Sequence, residues 1–181
     1  MPDIASRPSP YDWLPQLPAL DLRSDDVKDG SRLTEPYLSG LFGVPGGQDR
    51  SPHLAWSGAP AGTQSYAVTM YDPDAPTAAG FWHWAVFDVP ADVTGLPSDA
   101  GNGADGSLPA GAKTLRNDAG LARFLGAAPP EGHGDHRYYI AVHAVGVPTL
   151  DVGLDASPAL LGFNLFTHAL ARGVIVATYG R

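Results

Sequence analysis

Glycine and proline punctuate the whole chain and limit the regular structure that it can form. The 181 residues include 22 Gly and 18 Pro, which together make up 40 positions. Both residue types interrupt helices and favour turns, so this content predicts many turns and little helix. The length suits one domain, and a hydrophobic content of 44% with 9% aromatic residues excludes disorder throughout.

The charge balance excludes several classes of partner. Eleven basic residues stand against nineteen acidic ones, for a formal net charge of −8, and the chain has no cysteine. An acidic chain without a basic cluster is a poor nucleic-acid binder, and electrostatic docking to an anionic membrane is disfavoured for the same reason. The N-terminal segment lacks the basic start and apolar core of a signal peptide, and no apolar run is long enough to span a membrane. We therefore expect a cytoplasmic protein with no nucleic-acid partner and no integral membrane association.

Runs of aromatic and β-branched residues predict strands over 65–71, 83–89, 136–145 and 174–179. A short strand or helical turn is expected within 113–124. The one predicted helix covers 158–172, with Ser157 as its N-cap, Pro158 at its first position and Gly173 after its last turn. This pattern predicts an all-β sandwich or barrel with a C-terminal helix. The five prolines of residues 1–19 predict a separate N-terminal arm, which leaves residues 20–181 as the domain.

Polar residues stand at the ends of three predicted strands. Asp72 closes one strand and His83 opens the next, with ten residues between them. If the two strands pair as a hairpin, both side chains lie at the same end of the sheet. His136 also opens a strand, after a loop rich in glycine and proline. Such residues, surrounded by flexible loops and aromatics, are typical of a pocket mouth.

The chemistry of this set favours anion binding. Two imidazoles can each donate a charge-assisted hydrogen bond to a bound anion, and a carboxylate can fix the tautomer of one of them. The alternative for Asp72 and Asp74 is simple turn capping, and for Trp82 it is packing. A metal site built from the same histidines and Asp72 lacks the usual tight ligand spacing, so no metal and no cofactor are predicted.

Other histidines receive structural interpretations. His53, His143 and His168 are expected to be satisfied core or surface groups, and His133 an exposed loop residue. The chain has no nucleophile elbow of the G-x-S-x-G type and no nucleotide-binding glycine loop before a helix. These absences leave the strand-end cluster as the main candidate site.

Three motifs together resemble a known family. The segments are Asp72-Pro73-Asp74-Ala75-Pro76, Gly80-Phe81-Trp82-His83-Trp84 and His136-Arg137-Tyr138. In this order they resemble the phosphatidylethanolamine-binding protein family, in particular its bacterial Raf-kinase-inhibitor-like branch, over roughly residues 20–181. The resemblance implies an antiparallel two-sheet β-sandwich with a small pocket at one end. In the family this pocket accepts phosphate, carboxylate or phospholipid head groups.

The resemblance also implies which residues form the pocket. Its ligand-binding set would be Asp72, His83, His136, Tyr138, Trp82, Pro76, Asp74 and Ala128. Trp82 and Pro76 would be part of the wall, and the helix 158–172 would sit near the pocket and restrict access. Ala128 stands before the Pro-Pro turn where the family often has glycine, and its Cβ would narrow the approach of a ligand.

Three functions remain open on the sequence. The leading hypothesis is non-catalytic binding of a small anionic or phosphorylated ligand, with a regulatory, kinase-inhibitor-like role suggested only by family association. The second is a biosynthetic enzyme of the cyclase or dehydratase type that uses the same His/Asp/Tyr pocket. The third is a structural or partner-binding sandwich whose pocket is filled by its own side chains. A protein partner and the choice between monomer and homodimer also stay open.

Overall fold

Two antiparallel sheets form the body of the protein in a computed structural model that describes residues 7–181. The smaller sheet has the strand order β1-β2-β5, with β1 at Asp21–Arg23, β2 at Leu54–Ser57 and β5 at Gly95–Leu96. The larger sheet has the order β6-β4-β3-β7-β8. Its strands are β3 (Ser65–Asp72), β4 (Phe81–Pro90), β6 (Lys113–Thr114), β7 (His136–Val145) and β8 (Ala169–Tyr179). One α-helix of the described residues, α1, covers Pro158–His168. The predicted sandwich with a minor helical component is confirmed.

The predicted strands are found where the aromatic and β-branched runs lie. Strands β3, β4 and β7 contain the predicted ranges 65–71, 83–89 and 136–145, and the short strand expected within 113–124 is β6. Strand β3 is central and pairs with β4 on one side and β7 on the other. Its burial on both faces explains its nearly continuous apolar sequence.

The main core lies between the two sheets. The large sheet contributes alternate side chains of its central strands, and Trp56 of β2 packs against Tyr66 of β3 with ring centroids 5.3 Å apart. The buried members from β3, β4 and β7 include Val68, Met70, Trp84, Val86, Ile140 and Val142. A second cluster covers the outer face of the large sheet, where Leu161 and Leu165 of α1 pack over Ala67, Ala85 and Phe87.

Helix α1 is shorter than predicted. Its start is as expected, since Ser157 Oγ accepts a hydrogen bond from the Leu160 amide and Pro158 occupies the first turn. The predicted end at 172 is wrong, because residues 169–172 already belong to β8 and pair with the end of β7. Gly173 therefore ends no helix. It lies in β8, where an added Cβ would approach Leu22 Cβ to 2.7 Å, so glycine permits close contact with the β1 segment.

The outer edge of β8 is covered by an earlier part of the chain. Arg172 has both backbone groups bonded, to Pro18 O and the Leu20 amide. Val176 is bonded to Asp29 Oδ1 and the Gly30 amide, and Thr178 to Ser31 O and the Leu33 amide. Segment 18–33 thus pairs with three positions of the strand.

The described part of the N-terminal arm lies against the outer face of the large sheet. Arg137 Nη1 donates to the carbonyl oxygens of Arg7 and Pro8 at 2.9 and 3.0 Å. The ring of Tyr11 packs edge-on against Tyr139, with centroids 6.0 Å apart. Residues 7–19 therefore contact the domain, whereas the rest of the predicted arm, residues 1–6, lies outside the described residues. The boundary at residue 19 stays a prediction.

Within residues 7–181, no helix combines the length and the apolar character needed to cross a bilayer. The cytoplasmic location stays a prediction.

Two neighbouring leucines of α1 test how the helix is held. Leu161 is fully buried between α1 and the large sheet, whereas the side chain of Leu160 is 46% exposed. We predict that Leu161→Ala lowers the free energy of unfolding by about 2–5 kcal/mol, because it removes buried methyl groups and leaves a cavity. The matched control Leu160→Ala should change it by less than about 0.5 kcal/mol. Urea denaturation monitored by Trp fluorescence measures both, and equal effects would contradict the packing described here.

Candidate ligand-binding site

Three strand ends meet at one edge of the large sheet. Strand β3 ends at Asp72, which pairs with Phe81 at the start of β4, and β7 begins beside it at His136. Because neighbouring strands are antiparallel, the end of β3 and the starts of β4 and β7 share this edge. A cavity of about 210 Å³ opens there. Its lining is Phe42, Asp72, Ala75, Pro76, Thr77, Phe81, His83, Ala128, Pro129, Pro130, His136 and Tyr138.

The ring of His136 is held by Asp72 at the cavity. Its Nδ1 lies 2.7 Å from Asp72 Oδ2, and both side chains are almost fully buried. The second Asp72 oxygen accepts the Asp74 amide at 2.8 Å, so the carboxylate is fixed by the turn that follows β3. An ionised Asp72 keeps a proton on His136 Nδ1 and thereby sets the tautomer and the ring orientation.

His83 presents the opposite ring nitrogen to the cavity. Its Nδ1 donates to the carbonyl oxygen of Leu125 at 2.9 Å, which leaves Nε2 for a ligand. Burial lowers the pKa of His83, and the attraction of Asp72 only partly opposes this effect. The unliganded ring is therefore neutral at pH 7, with a lone pair on Nε2.

Tyr138 lies between the two histidines. Its ring centroid is 5.3 Å from that of His83 and 6.5 Å from that of His136. The Tyr138 hydroxyl is buried and has no hydrogen-bond partner. Burial and, secondarily, the nearby Asp72 charge raise the pKa of this phenol, so it remains a neutral O–H donor. A buried donor without a partner costs free energy, which a ligand acceptor would recover.

The sequence and the fold match known proteins. The family profile described as "Phosphatidylethanolamine-binding protein" matches residues 23–180. The chain belongs to the phosphatidylethanolamine-binding protein family. It is 44% identical to the UPF0098 protein YbcL of Escherichia coli over 91% of this chain and 89% of that one. It is also 44% identical to YbhB of the same organism over 88% of this chain and 99% of that one.

A solved structure gives the same result for the fold. The crystal structure of E. coli YbcL, described as a new member of the mammalian PEBP family, superposes with a TM-score of 0.86 at 43% identity. The match covers 90% of this chain and 98% of that one. Membership of the phosphatidylethanolamine-binding protein family supports ligand binding in a general sense.

Two residues that the family resemblance assigned to the pocket do not line the cavity. Trp82 is the first, and its ring packs on Tyr71 with centroids 4.4 Å apart on the outer face of the sheet. The pairing register shifts between Met70 and Tyr71, which marks a β-bulge in this region. Phe81 supplies the aromatic wall instead, 4.8 Å from the His83 ring.

Asp74 is the second, and it contributes to an ion pair. Its Oδ2 accepts from Arg137 Nε at 2.8 Å and from the Arg137 amide at 3.0 Å, while its Oδ1 accepts from Arg7 at 2.8 Å. Its side chain is only 3% exposed. Asp74 therefore anchors the loop after β3 to β7 and to the arm, and it does not line the cavity.

His133 contributes to the site although the sequence analysis treated it as an exposed loop residue. It is half-buried, and its Nδ1 lies 2.7 Å from His136 Nε2. Asp72, His136 and His133 thus form one hydrogen-bonded chain. The signal that could have found it is the spacing of three residues before His136, which allows a turn to place the two rings side by side.

Helix α1 also departs from expectation, since none of the cavity-lining residues belongs to it. It packs on the outer face of the large sheet, so it does not restrict this opening. Ala128 does line the cavity, beside the Pro-Pro turn, as its position in the family pattern implied. Among residues 7–181, no group of three or more His, Cys, Asp or Glu is arranged to hold a metal ion.

The Asp74 ion pair has a measurable acid dependence. Burial disfavours ionised Asp74, but hydrogen bonds from Arg137 and Arg7 outweigh it and lower its pKa from 3.8 to about 2. Ionised Asp74 therefore stabilises the fold above about pH 4, and this contribution is lost as the pH falls towards 2. We predict that Asp74→Asn lowers the free energy of unfolding at pH 7 by about 3 kcal/mol or more, since Arg137 loses its buried counter-charge.

The same variant should flatten the loss of stability between pH 4 and 2, as measured by urea denaturation across that range. The control is Asp92→Asn, at an exposed turn position. An Asp74→Asn protein with the acid profile of the unmodified chain would contradict the assigned ion pair.

Proposed function

We propose that the cavity between β3, β4 and β7 binds a single small anionic group, such as phosphate, a carboxylate or a phospholipid head group. The observation that carries this proposal is the pair of ligand-ready groups on one cavity. The Tyr138 hydroxyl is a buried donor without a partner, and His83 has Nε2 left over after its bond to Leu125. The protein's own groups leave both of them for a ligand.

The charge of the site suits one anion. Both Asp72 oxygens are already engaged, by His136 Nδ1 and by the Asp74 amide, so Asp72 does not face the ligand as an isolated carboxylate would. A bound anion raises the pKa of His83 and favours a proton on Nε2, which then donates a charge-assisted hydrogen bond. The local positive charge thus appears with the ligand, in a chain of net charge −8.

The size of the cavity favours a head group over a whole lipid. About 210 Å³ is below the roughly 300–1,000 Å³ of pockets for drug-sized molecules. Phe42 lines the cavity and is 48% exposed, so it stands at the rim. We infer that the anionic group enters the cavity while any apolar part of the ligand stays at the rim against Phe42 and the Pro-Pro turn.

Family membership supports this proposal at the level of ligand binding. The choice of an anionic ligand rests on the side chains at this edge. The regulatory role and the enzymatic alternative stay predictions.

Removal of one hydroxyl separates binding from folding. We predict that Tyr138→Phe weakens sulfate binding by about fivefold to tenfold, because one hydrogen-bond donor is lost. Stability should be unchanged or slightly higher, since the hydroxyl has no protein partner. The control is Tyr139→Phe, whose hydroxyl accepts from Arg137 and lies on the opposite face of β7. Isothermal titration calorimetry measures affinity, and equal sulfate affinities in the two variants would contradict the proposal.

The affinity for sulfate should depend on pH through His83. Sulfate keeps its charge between pH 5 and 8, so any change reports on the protein. Because the His83 pKa is lowered without ligand and raised by a bound anion, affinity is highest below the unliganded pKa and falls as pH rises. The expected slope is up to about tenfold per pH unit while one proton is taken up. His83→Gln should remove most of this slope; a pH-independent affinity in the unmodified protein would exclude proton uptake.

A further inference from the structure

Two further cavities lie on the opposite face of the large sheet, beneath the N-terminal arm. The inner cavity is about 60 Å³ and the outer groove about 510 Å³. Both are lined by residues from the arm, the sheet and α1, and the residues common to both are Tyr11, Leu14, Trp82, Gly162 and Phe166. The two spaces are therefore adjacent parts of one site, with a small inner end and a wide outer end.

The inner end contains buried polar atoms without partners. His143 is 3% exposed, and its Nδ1 has no hydrogen-bond partner. Arg172 Nε is also buried without a partner, and the Thr69 hydroxyl lacks a well-formed bond although the Tyr11 phenol is near it. His143 is thus not the satisfied core histidine expected from the sequence. Unsatisfied buried groups of this kind are rare in folded proteins and indicate a missing partner.

The inner end carries one positive charge, that of the Arg172 side chain. The Arg172 guanidinium lies 4.4 Å from the centroid of the Tyr11 ring, and among residues 7–181 no carboxylate forms an ion pair with it. Burial, with a smaller contribution from Arg172, lowers the pKa of His143 to about 3, so this ring is neutral at pH 7. The site therefore offers one positive charge and two neutral polar groups, which suits a monoanion better than a dianion.

The outer end is apolar and open. Leu14, Trp82, Phe163 and Phe166 line it, and the two phenylalanines are 68% and 56% exposed. Exposed aromatics of this size, grouped beside a groove, are typical of a ligand or interaction surface. A volume of about 510 Å³ falls within the range of small-molecule pockets.

From these observations we infer a second ligand site, which takes an amphiphilic monocarboxylate. Its carboxylate lies at the inner end and accepts hydrogen bonds from Arg172, His143 and Thr69. Its hydrocarbon part lies in the outer groove between the arm and α1. Trp82 lines this site and its neighbour His83 lines the first cavity, so the two sites occupy opposite faces of the sheet.

Octanoate is a suitable probe, with octan-1-ol as its uncharged counterpart. Titration is followed by NMR through the ring signals of His143 and the indole signal of Trp82, with His83 and His136 as reporters of the first cavity. We expect octanoate to shift the His143 and Trp82 signals and to bind there at least about tenfold more tightly than octan-1-ol, because a charge-assisted hydrogen bond is stronger than one to a neutral hydroxyl. Equal affinities, or shifts confined to His83 and His136, would overturn the proposal.

Two variants address the two ends of the site separately. Arg172→Met keeps an apolar stem but removes the charge, and should weaken octanoate binding about tenfold without altering octan-1-ol binding. Gly162→Leu fills the groove from α1, where an added Cβ meets nothing within 4 Å. Leucine is also a better helix former than glycine, so this variant remains folded. It should abolish the His143 and Trp82 shifts caused by both probes and leave sulfate binding at the first cavity unchanged; octanoate shifts of His143 and Trp82 unaffected by both substitutions would refute the site.

Discussion

The pairing register of β3 controls the rest of the structure. This strand lies between β4 and β7 and carries Asp72 at its end. A slip of one residue would send every β3 side chain to the opposite face, so that Tyr71 would replace Asp72 at the cavity. The buried residues on both faces of the strand make such a slip costly, since each face packs against a different cluster. The geometry of the candidate site is therefore a product of the core.

Two carboxylates, Asp72 at the end of β3 and Asp74 in the loop that follows, illustrate this dependence. Asp72 contacts His136 on the cavity side, whereas Asp74 contacts Arg137, the next residue of β7, on the arm side. Neighbouring residues of a strand point to opposite faces, so the two contacts hold the loop from both sides of the sheet. A loop fixed at two points needs little reorganisation when a ligand arrives, which lowers the entropic cost of binding.

Sequence patterns predicted the strands and the convergence of the strand-end residues well, because these features follow from alternation and antiparallel pairing. They failed where two local structures compete for the same residues. Residues 169–172 suit a helix by composition, but pairing with β7 makes them a strand. Trp82 faces away from the cavity because a bulge interrupts the pairing register of β3 and β4. The residue pattern of the two strands does not predict this bulge. His133 was missed because its role depends on the path of a loop. The glycines on either side of it allow many backbone conformations, so the sequence does not determine that path.

The covered edge of β8 has a consequence for association between chains. A sheet normally grows, within an oligomer or an aggregate, through the unpaired amides and carbonyls of its last strand. In β8 the backbone N–H and C=O of residues 172, 176 and 178 are already hydrogen-bonded to segment 18–33. Position 174 alone, between them, cannot template an incoming strand. Polymerisation by strand addition along this side would first require segment 18–33 to dissociate from β8. The cost of breaking these hydrogen bonds is a barrier to fibre growth.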